Sequence, residues 1–294
     1  NYGNVDALKG VSFTAKRGEC LVILGPSGAG KTTTLKVIAG LESVKSGKVF
    51  FKGRLMNALE PKDRNVAMVF ESYALYPHVT VYENLASPLR AISMAEDEIR
   101  KRVRDVAVML GILPFLDRKP GFLSGGQRQR VALGRALVKP VDLYLMDEPI
   151  AHLDAKLRYQ MIGEFKHLQE TLRISLVYVT HDWREAMSLG NHILVLNQGR
   201  VEQYGTREDL FRRPANTFVA RMLGDPPMNL LPGLISAGRG APVMTSDEIR
   251  IPMKKGVREG RAVLGIRSSK IGLSPASAPG CICLLYTSPS PRDS

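Results

Sequence analysis

The sequence has 294 residues, enough for one large or two ordinary domains, and its 44% hydrophobic residues are sufficient for a packed core. The formal net charge of +13 is compatible with nucleic acid, an anionic membrane surface or phosphate-rich ligands, but most basic residues are scattered and are interpreted as solvated faces. Three cysteines do not form a disulfide framework, which favours a reducing compartment. No apolar run approaches the ~20 residues of a membrane helix, and no signal peptide is visible.

The first part of the chain predicts a strand, a glycine loop and a helix in succession. Residues 8–15 alternate as a strand, and the apolar run Cys20–Leu24 predicts a buried strand. Residues 25–33 then fit the pattern G-x-x-x-x-G-K-[ST], and residues 34–41 predict a helix. We expect the loop to bind phosphate, because glycines let backbone N–H groups turn inward around an anion and the helix N-terminus adds partial positive charge. The alternative is a glycine-rich turn that binds nothing.

Two side chains of this loop have distinct chemical roles. Lys31 can reach the β- and γ-phosphates of a nucleotide, and the hydroxyl of Thr32 can ligate Mg²⁺. The loop residues predicted to contact the nucleotide are Gly25, Pro26, Ser27, Gly28, Ala29, Gly30, Lys31, Thr32 and Thr33.

The middle of the chain predicts short strands and an amphipathic helix. Strand candidates lie at residues 47–52 and 66–70, and an aromatic, proline-broken loop follows them. Ser93 and Glu96 have the spacing of a capping box at the start of a helix, which Gly111 ends.

In the second half, polar residues follow predicted strands. An apolar strand at residues 143–146 ends in Asp147 and Glu148, and the buried strand Leu176–Thr180 ends at His181. The other predicted elements are a helix that the sequence LSGGQ opens at residue 124, the helix Ala155–Leu172, hairpin strands at 193–196 and 200–204, short helices near 206–212 and 216–223, and strands at 249–253 and 262–266 beyond a boundary near 224–227. Because strands alternate with helices, the predicted fold class is α/β with a mainly parallel sheet.

The strand ends offer groups for phosphate chemistry, since functional side chains of a parallel sheet lie at the carboxyl ends of its strands. Asp147 can hold Mg²⁺, directly or through water, and Glu148 can orient or deprotonate an attacking water. His181 can donate to a γ-phosphate. Ser124, at the N-terminus of the next helix, predicts a second anion site. The alternatives to these roles are that Asp147 and Glu148 only cap the following turn and that His181 is structural.

The glycine loop, LSGGQ, LYLMDEP and YVTHD occur in this order, and over residues 2–223 the chain resembles the ATP-binding cassette (ABC) ATPase family. The resemblance implies a P-loop NTPase core of mainly parallel sheet with an antiparallel β part and a helical subdomain at about residues 83–140. It places the ABC ATPase domain at residues 1–225 and a truncated OB-like regulatory module at residues 226–282.

The same resemblance implies that ATP is sandwiched in a head-to-tail dimer of this chain, or of this chain with a close paralogue. Lys31, Glu148 and His181 are then catalytic, with Glu148 as the general base and His181 as the γ-phosphate switch. Asp154 links the two sites of the dimer. The signature residues that complete the partner's site in trans are Ser124, Gly125, Gly126 and Gln127.

The resemblance also implies a magnesium site and an adenine contact. Mg²⁺ is held by Thr32, Asp147 and Glu71, where Glu71 stands at a position at which the family usually has glutamine. A glutamate there can still ligate Mg²⁺, more strongly by its charge, and we expect the site to stay active. Tyr2 matches the aromatic residue that stacks on adenine, or it is a frayed terminal residue.

Within the family, residues 72–90 and 227–233 most resemble the ATPase subunits of carbohydrate importers of the maltose or glycerol-phosphate type. The implied partners are two transmembrane permease subunits and, indirectly, an extracytoplasmic solute-binding protein, with the chain peripheral on the cytoplasmic face of the inner membrane and no nucleic acid expected. An ABC ATPase that acts on nucleic acid is the alternative, although only about 93 residues separate Lys31 from Ser124 and no sustained heptads are present. A nucleotide-binding module without turnover is a second alternative, which Glu148 disfavours.

The two ends of the chain carry separate expectations. Because the chain opens at Asn1 without a methionine, we expect it to be truncated or processed. Residues 283–293, CLLYTSPSPRD, resemble the in-frame translation of a transposase-type sequencing adapter, so residues 283–294 are interpreted as an adapter-derived tail. The alternatives are an ordinary disordered Ser/Pro tail and, with almost no weight, a metal site at Cys281 and Cys283.

Overall fold

The computed structural model describes residues 6–70, 74–151, 153–237, 241–246 and 249–270. The chain divides into two compact units, residues 1–215 and residues 216–294. Among the described residues, no helix is both long and apolar enough to cross a membrane.

The first unit alternates strands with helices, as its sequence predicts. Its elements are, in chain order, β1 (Cys20–Leu24), α1 (Lys31–Ala39), β2 (Phe50–Phe51), β3 (Arg54–Leu55), β4 (Val66–Val69), α2 (Val81–Arg90), α3 (Glu96–Met109), α4 (Gly125–Leu137), β5 (Leu143–Asp147), α5 (Ala155–Leu172), β6 (Leu176–Thr180), α6 (Trp183–Leu189), β7 (His192–Asn197), β8 (Arg200–Thr206) and α7 (Arg207–Arg212). The bounds of α5 and β6 coincide with the predicted ones.

A six-stranded sheet brings the predicted motifs to one edge. Its strand order is β4-β5-β6-β1-β7-β8, in which the first five strands run parallel and β8 returns antiparallel to β7. Every residue of β1 and of β6 is buried, as expected for strands covered on both faces. Leu24 at the end of β1 lies beside Thr180 at the end of β6, and Asp147 at the end of β5 lies beside Val179. The segments that follow these three strands therefore emerge together.

The helices of the first unit cover the sheet and form a separate helical part. Helix α1 packs against β5 and β6, and α2 packs against α3 and α4. Gly134 of α4 permits close packing, because a Cβ there would lie 3.1 Å from Leu110 and 3.4 Å from Leu85. The buried core cluster on the sheet consists of Leu21, Ile23, Ala29, Leu35, Ile38, Ala39, Leu145, Val177, Val179, Leu194 and Leu196.

Two predicted strands differ from the structure. Residues 8–15 are not a strand, although they alternate, because the segment joins no sheet ladder. Of residues 47–52, only Phe50–Phe51 pairs, in a short hairpin with β3. Alternation reports that one side of a segment is buried, and a strand needs a partner as well. The side chains of the first segment that pack against the core are Leu8, Val11 and Phe13.

Two helix starts also differ from the prediction. Helix α1 begins at Lys31 and not at residue 34, so the end of the glycine loop is itself helical. The predicted capping box of Ser93 and Glu96 is wrong, because the N-cap of α3 is Ala95, which makes no side-chain capping bond. The Glu96 carboxylate instead accepts a hydrogen bond from Arg90 Nε at 2.7 Å.

The second unit is an antiparallel sheet preceded by a short helix. Its elements are α8 (Thr217–Met222), β9 (Asn229–Ser236), β10 (Val243–Ser246), β11 (Ile249–Pro252) and β12 (Gly260–Ile266), and the strand order is β11-β10-β9-β12. The sequence predicts β11 and β12 but not β9 and β10. Together with the mixed sheet and helical part of the first unit, these strands confirm the predicted fold class, and they are consistent with an OB-like module.

Candidate functional site

The loop at residues 25–33 encloses the N-terminus of α1. Gly25 N donates to Thr180 O at 3.4 Å, which ties the start of the loop to the end of β6. Gly28 and Gly30 have φ values of +77° and +101°, which favour glycine. A Cβ on Gly30 would also lie 2.8 Å from Ala7 O, so the backbone can pass there only without a side chain. The loop therefore has the glycine-dependent conformation that a phosphate cradle requires.

Lys31 folds back over this loop. Its side chain is 6% exposed, and Nζ donates to the carbonyl oxygens of Gly25 at 2.9 Å and Pro26 at 3.1 Å. Nζ also lies 3.4 Å from Glu148 Oε1. The buried ammonium group is thus fully paired within the chain, as a buried charge must be. Its carbonyl partners are neutral, so an anion in the loop can compete for the same group.

Thr32 and Asp147 bring two oxygen donors together beside Lys31. The Thr32 hydroxyl donates to Asp147 Oδ1 at 3.1 Å, and Asp147 is 4% exposed at the end of β5. A hydroxyl and a carboxylate are the kind of ligands that Mg²⁺ prefers, usually together with waters and substrate phosphates. Among the described residues, no group of three or more His, Cys, Asp or Glu side chains could hold a metal by itself. The donors present fit a Mg²⁺ ion whose coordination a phosphate ligand completes.

Glu148 and His181 form a close pair at the opening of the site. Glu148 has φ +47° and its N–H donates to Val179 O at 3.0 Å, so a left-handed backbone directs its side chain away from the strand. Glu148 Oε2 lies 2.8 Å from His181 Nδ1. The Glu148 side chain is 16% exposed and that of His181 is 57% exposed. The pair can orient a water molecule and take up its proton.

The LSGGQ segment forms a capped helix N-terminus. The Ser124 hydroxyl accepts from Gln127 N at 3.3 Å, and Gln127 Oε1 accepts from Ser124 N at 2.9 Å, which is a complete capping box for α4. Ser124 and Gly125 are exposed, and a Cβ on Gly125 would meet nothing within 4 Å. No hydrogen bond among the described residues joins these residues to the loop at 25–33. The N–H groups of Ser124 and Gln127 are therefore bonded within the capping box, and the exposed Ser124 and Gly125 lie at the N-terminus of α4.

The remaining predicted site residues are placed less directly or not at all. Asp154 caps α5 by accepting from Leu157 N at 3.0 Å, and it is exposed. Tyr2 and Glu71 lie outside the described residues, so the adenine contact and the third magnesium ligand stay predictions.

Two polar side chains next to the site, the buried Gln129 and the 33% exposed Arg158, carry no motif signal of their own. Gln129 Nε2 of α4 donates to Pro149 O, directly after Glu148. Arg158 of α5 donates to the carbonyl oxygens of Ala151 and Leu153. Each lies about one helical turn beyond a predicted motif, which is the sequence signal that could have found them.

Comparison with known proteins places this site in a family. A family model described as ABC transporter matches residues 8–151. The sn-glycerol-3-phosphate import ATP-binding protein UgpC of Ruegeria pomeroyi is 48% identical over 266 residues, which cover 90% of this chain and 75% of that protein. The trehalose/maltose import ATP-binding protein MalK of Thermococcus litoralis is 50% identical over 241 residues, which cover 80% of this chain and 65% of that protein.

A solved structure agrees with this relationship. The dimeric, post-hydrolysis state of the ATP-binding cassette MJ0796 bound to ADP and Pi has a TM-score of 0.66 and 34% identity to this chain, covering 70% of this chain and 94% of that one. The predicted P-loop NTPase core is therefore confirmed. The chain belongs to the ABC transporter family, as one of its ATP-binding, ATP-hydrolysing subunits.

Proposed function

We propose that this chain hydrolyses ATP to power the import of a carbohydrate or a related polar solute. The observation that carries the proposal is the position of Glu148, whose two carboxylate oxygens lie 3.4 Å from Lys31 Nζ and 2.8 Å from His181 Nδ1. A base next to a phosphate-binding ammonium group is what hydrolysis needs. The relatives named as import ATP-binding proteins favour transport over the alternative of an ABC ATPase that acts on nucleic acid.

Each residue of the site has a role in this proposal. When Lys31 Nζ turns from the carbonyls of Gly25 and Pro26 and from the Glu148 carboxylate to phosphate oxygens, Glu148 is free to accept a proton from the attacking water. His181 Nδ1 holds the Glu148 carboxylate in orientation. Thr32 and Asp147 would hold Mg²⁺, which neutralises phosphate charge when it is bound.

The proposal includes a second copy of the chain. Ser124 and Gly125 are exposed at the N-terminus of α4. The anion site at this helix end is therefore available to a nucleotide held by another subunit. Asp154 is exposed at the start of α5, where it can contact that subunit. The dimeric state in the name of the MJ0796 structure supports this arrangement.

The further partners follow from the importer assignment. We propose two transmembrane permease subunits, an extracytoplasmic solute-binding protein that acts through them, and a peripheral position on the cytoplasmic face of the inner membrane. No nucleic acid takes part. Support comes from the names of the UgpC and MalK relatives.

The test of this function is the substitution Glu148→Gln, which keeps the shape of the side chain and removes the base. We expect ATP turnover to fall by about a hundredfold or more, because general-base catalysis typically contributes that much. ATP should then accumulate in a stable dimer, detected by light scattering after gel filtration with and without ATP. The control is Glu170→Gln, an exposed carboxylate on α5 that should behave as wild type.

Three outcomes would contradict the proposal. Turnover of Glu148→Gln within a few-fold of wild type would remove Glu148 from the mechanism. Monomers at saturating ATP would count against the shared site. Stimulation of the wild-type ATPase by DNA, and not by permease subunits, would revive the nucleic-acid alternative.

A further inference from the structure

We propose that Arg158 is a positioning residue for ATP hydrolysis, which ties the turn between Glu148 and Asp154 to the strand end that carries His181. The inference rests on the proposed function of this site. Arg158 makes no hydrogen bond or ion pair with residues 25–33 in the part of the chain that the structure describes, so its effect would pass through other residues.

On one side, the guanidinium group holds the turn that follows β5. Arg158 Nη2 donates to the carbonyl oxygens of Ala151 and Leu153, both at 3.2 Å. The same turn is closed by Ala151 N, which donates to Glu148 O at 3.3 Å. One planar group therefore fixes the backbone between the proposed base, Glu148, and Asp154.

On the other side, the guanidinium group faces two carboxylates that follow β6, one on the N-cap residue of α6 and one within α6. Arg158 Nη1 lies 3.8 Å from Asp182 Oδ2, and Nε lies 3.9 Å from Glu185 Oε1. Asp182 directly follows His181, and its own N–H donates to the Thr180 hydroxyl at 3.0 Å.

Glu185 is held by two buried side chains of β6. It is 3% exposed, and Oε2 accepts from the hydroxyl groups of Tyr178 at 2.9 Å and Thr180 at 2.7 Å. The Glu185 carboxylate is therefore held by β6, whereas the Asp182 carboxylate accepts from Arg184 N at the start of α6.

These contacts close a ring around the base. The path of contacts leads from Glu148 through the turn to Arg158 and from Arg158 to Asp182. It returns from the neighbouring His181 to Glu148, at 2.8 Å. Without Arg158, the only described side-chain link between the two segments would be the exposed histidine pair itself. Small displacements of a catalytic group are costly, since about 1 Å can lower a rate by about a hundredfold.

One feature of the ring distinguishes it from a tight structural clamp. Arg158 Nε is buried and has no hydrogen-bond partner among the described residues. Its distance of 3.9 Å from Glu185 Oε1 is about 1 Å longer than an ordinary hydrogen bond. The contact can therefore shorten when the turn and β6 approach each other, and an unsatisfied buried donor favours that approach.

The inference is tested by steady-state ATP hydrolysis of Arg158→Met and Arg158→Lys. For Arg158→Met we expect kcat to fall by about tenfold or more while KM for ATP changes by less than about twofold, because the side chain does not touch the loop. Arg158→Lys should be intermediate, since lysine keeps the charge but cannot make both carbonyl bonds in a fixed fork. The control is Arg184→Met, which removes a more exposed guanidinium 4.0 Å from the same Asp182 and should keep the wild-type kcat.

A second variant keeps the test decisive if Arg158→Met does not fold. Asp182→Asn retains the side-chain oxygen that accepts from Arg184 N at 2.7 Å, and so retains the cap of α6, but it removes the charge that faces Arg158. We expect the same fall in kcat with little change in melting temperature.

The outcomes separate this inference from the proposed function. A wild-type chain without ATPase activity would refute the function itself. An active wild type, with unchanged kcat in Asp182→Asn and in folded Arg158 variants, would refute only the positioning role. A rise in KM as large as the loss of kcat would also refute it, because that pattern indicates nucleotide binding.

Discussion

Arg64 provides the sharpest stability prediction, because it is a buried cation that contacts helix carbonyls. It is 5% exposed, and Nη1 donates to Val37 O at 3.0 Å and Ile38 O at 2.9 Å, at the C-terminus of α1. Nε donates to Leu59 O at 3.1 Å. Carbonyls at a helix C-terminus lack intrahelical partners, and a cation there also complements the helix dipole.

The expected cost of Arg64→Met follows from these bonds. Val37 O keeps another donor, Gly40 N at 3.1 Å, whereas the carbonyls of Ile38 and Leu59 lose the guanidinium. Each buried carbonyl left unsatisfied costs about 1–3 kcal/mol. Burial lowers the pKa of Arg64, because desolvation disfavours its charged form. This desolvation offsets part of the stability that the three hydrogen bonds of Arg64 contribute. We therefore expect the free energy of unfolding to fall by about 3 kcal/mol.

The assay is equilibrium unfolding in urea, with Lys62→Met as the control because the Lys62 side chain is 76% exposed. Arg64 contacts carbonyls of α1 that lie about 10 Å along the helix from Lys31, so kcat of the folded variant should stay within about twofold of wild type. A loss below about 1 kcal/mol would contradict the prediction by showing that desolvation offsets most of what the three hydrogen bonds contribute. A more stable variant would show that desolvation outweighs them.

Three other substitutions test two glycines of the loop and one buried acid. Gly28→Ala should lower the free energy of unfolding by about 1 kcal/mol through left-handed backbone strain alone, since a Cβ there meets nothing within 4 Å. Gly30→Ala should lower it clearly more, because its Cβ would lie 2.8 Å from Ala7 O. Equal losses in urea unfolding would contradict this. Burial raises the pKa of the Glu185 carboxyl, so the folded state binds its proton more tightly than the unfolded state does. Wild-type stability therefore falls as pH rises from the ordinary carboxyl pKa towards the raised one. Glu185→Gln should remove this slope as pH rises above the ordinary carboxyl pKa, and an unchanged slope would refute the assignment.

Where the sequence predicts the fold correctly, the signal is local. The bounds of α5 follow from helical periodicity and those of β6 from a short apolar run, and both signals depend on neighbouring residues alone. Residues 8–15 fail because a strand requires a partner that their own pattern does not specify. The capping box at Ser93 fails because Glu96 pairs instead with Arg90 on the preceding helix.

The candidate site divides in the same way. By itself, the sequence determined that the loop with Lys31 and Thr32 and the acids Asp147 and Glu148 are candidate site residues. Glycine spacing and polar residues after apolar strands can be recognised in the linear sequence. Only the tertiary structure decided that Glu148 pairs with His181, 33 residues away, and that Arg158 joins the two segments. Such contacts depend on which strands become neighbours in the sheet, and the order β5-β6-β1 is set by packing over the whole unit, which no single motif encodes.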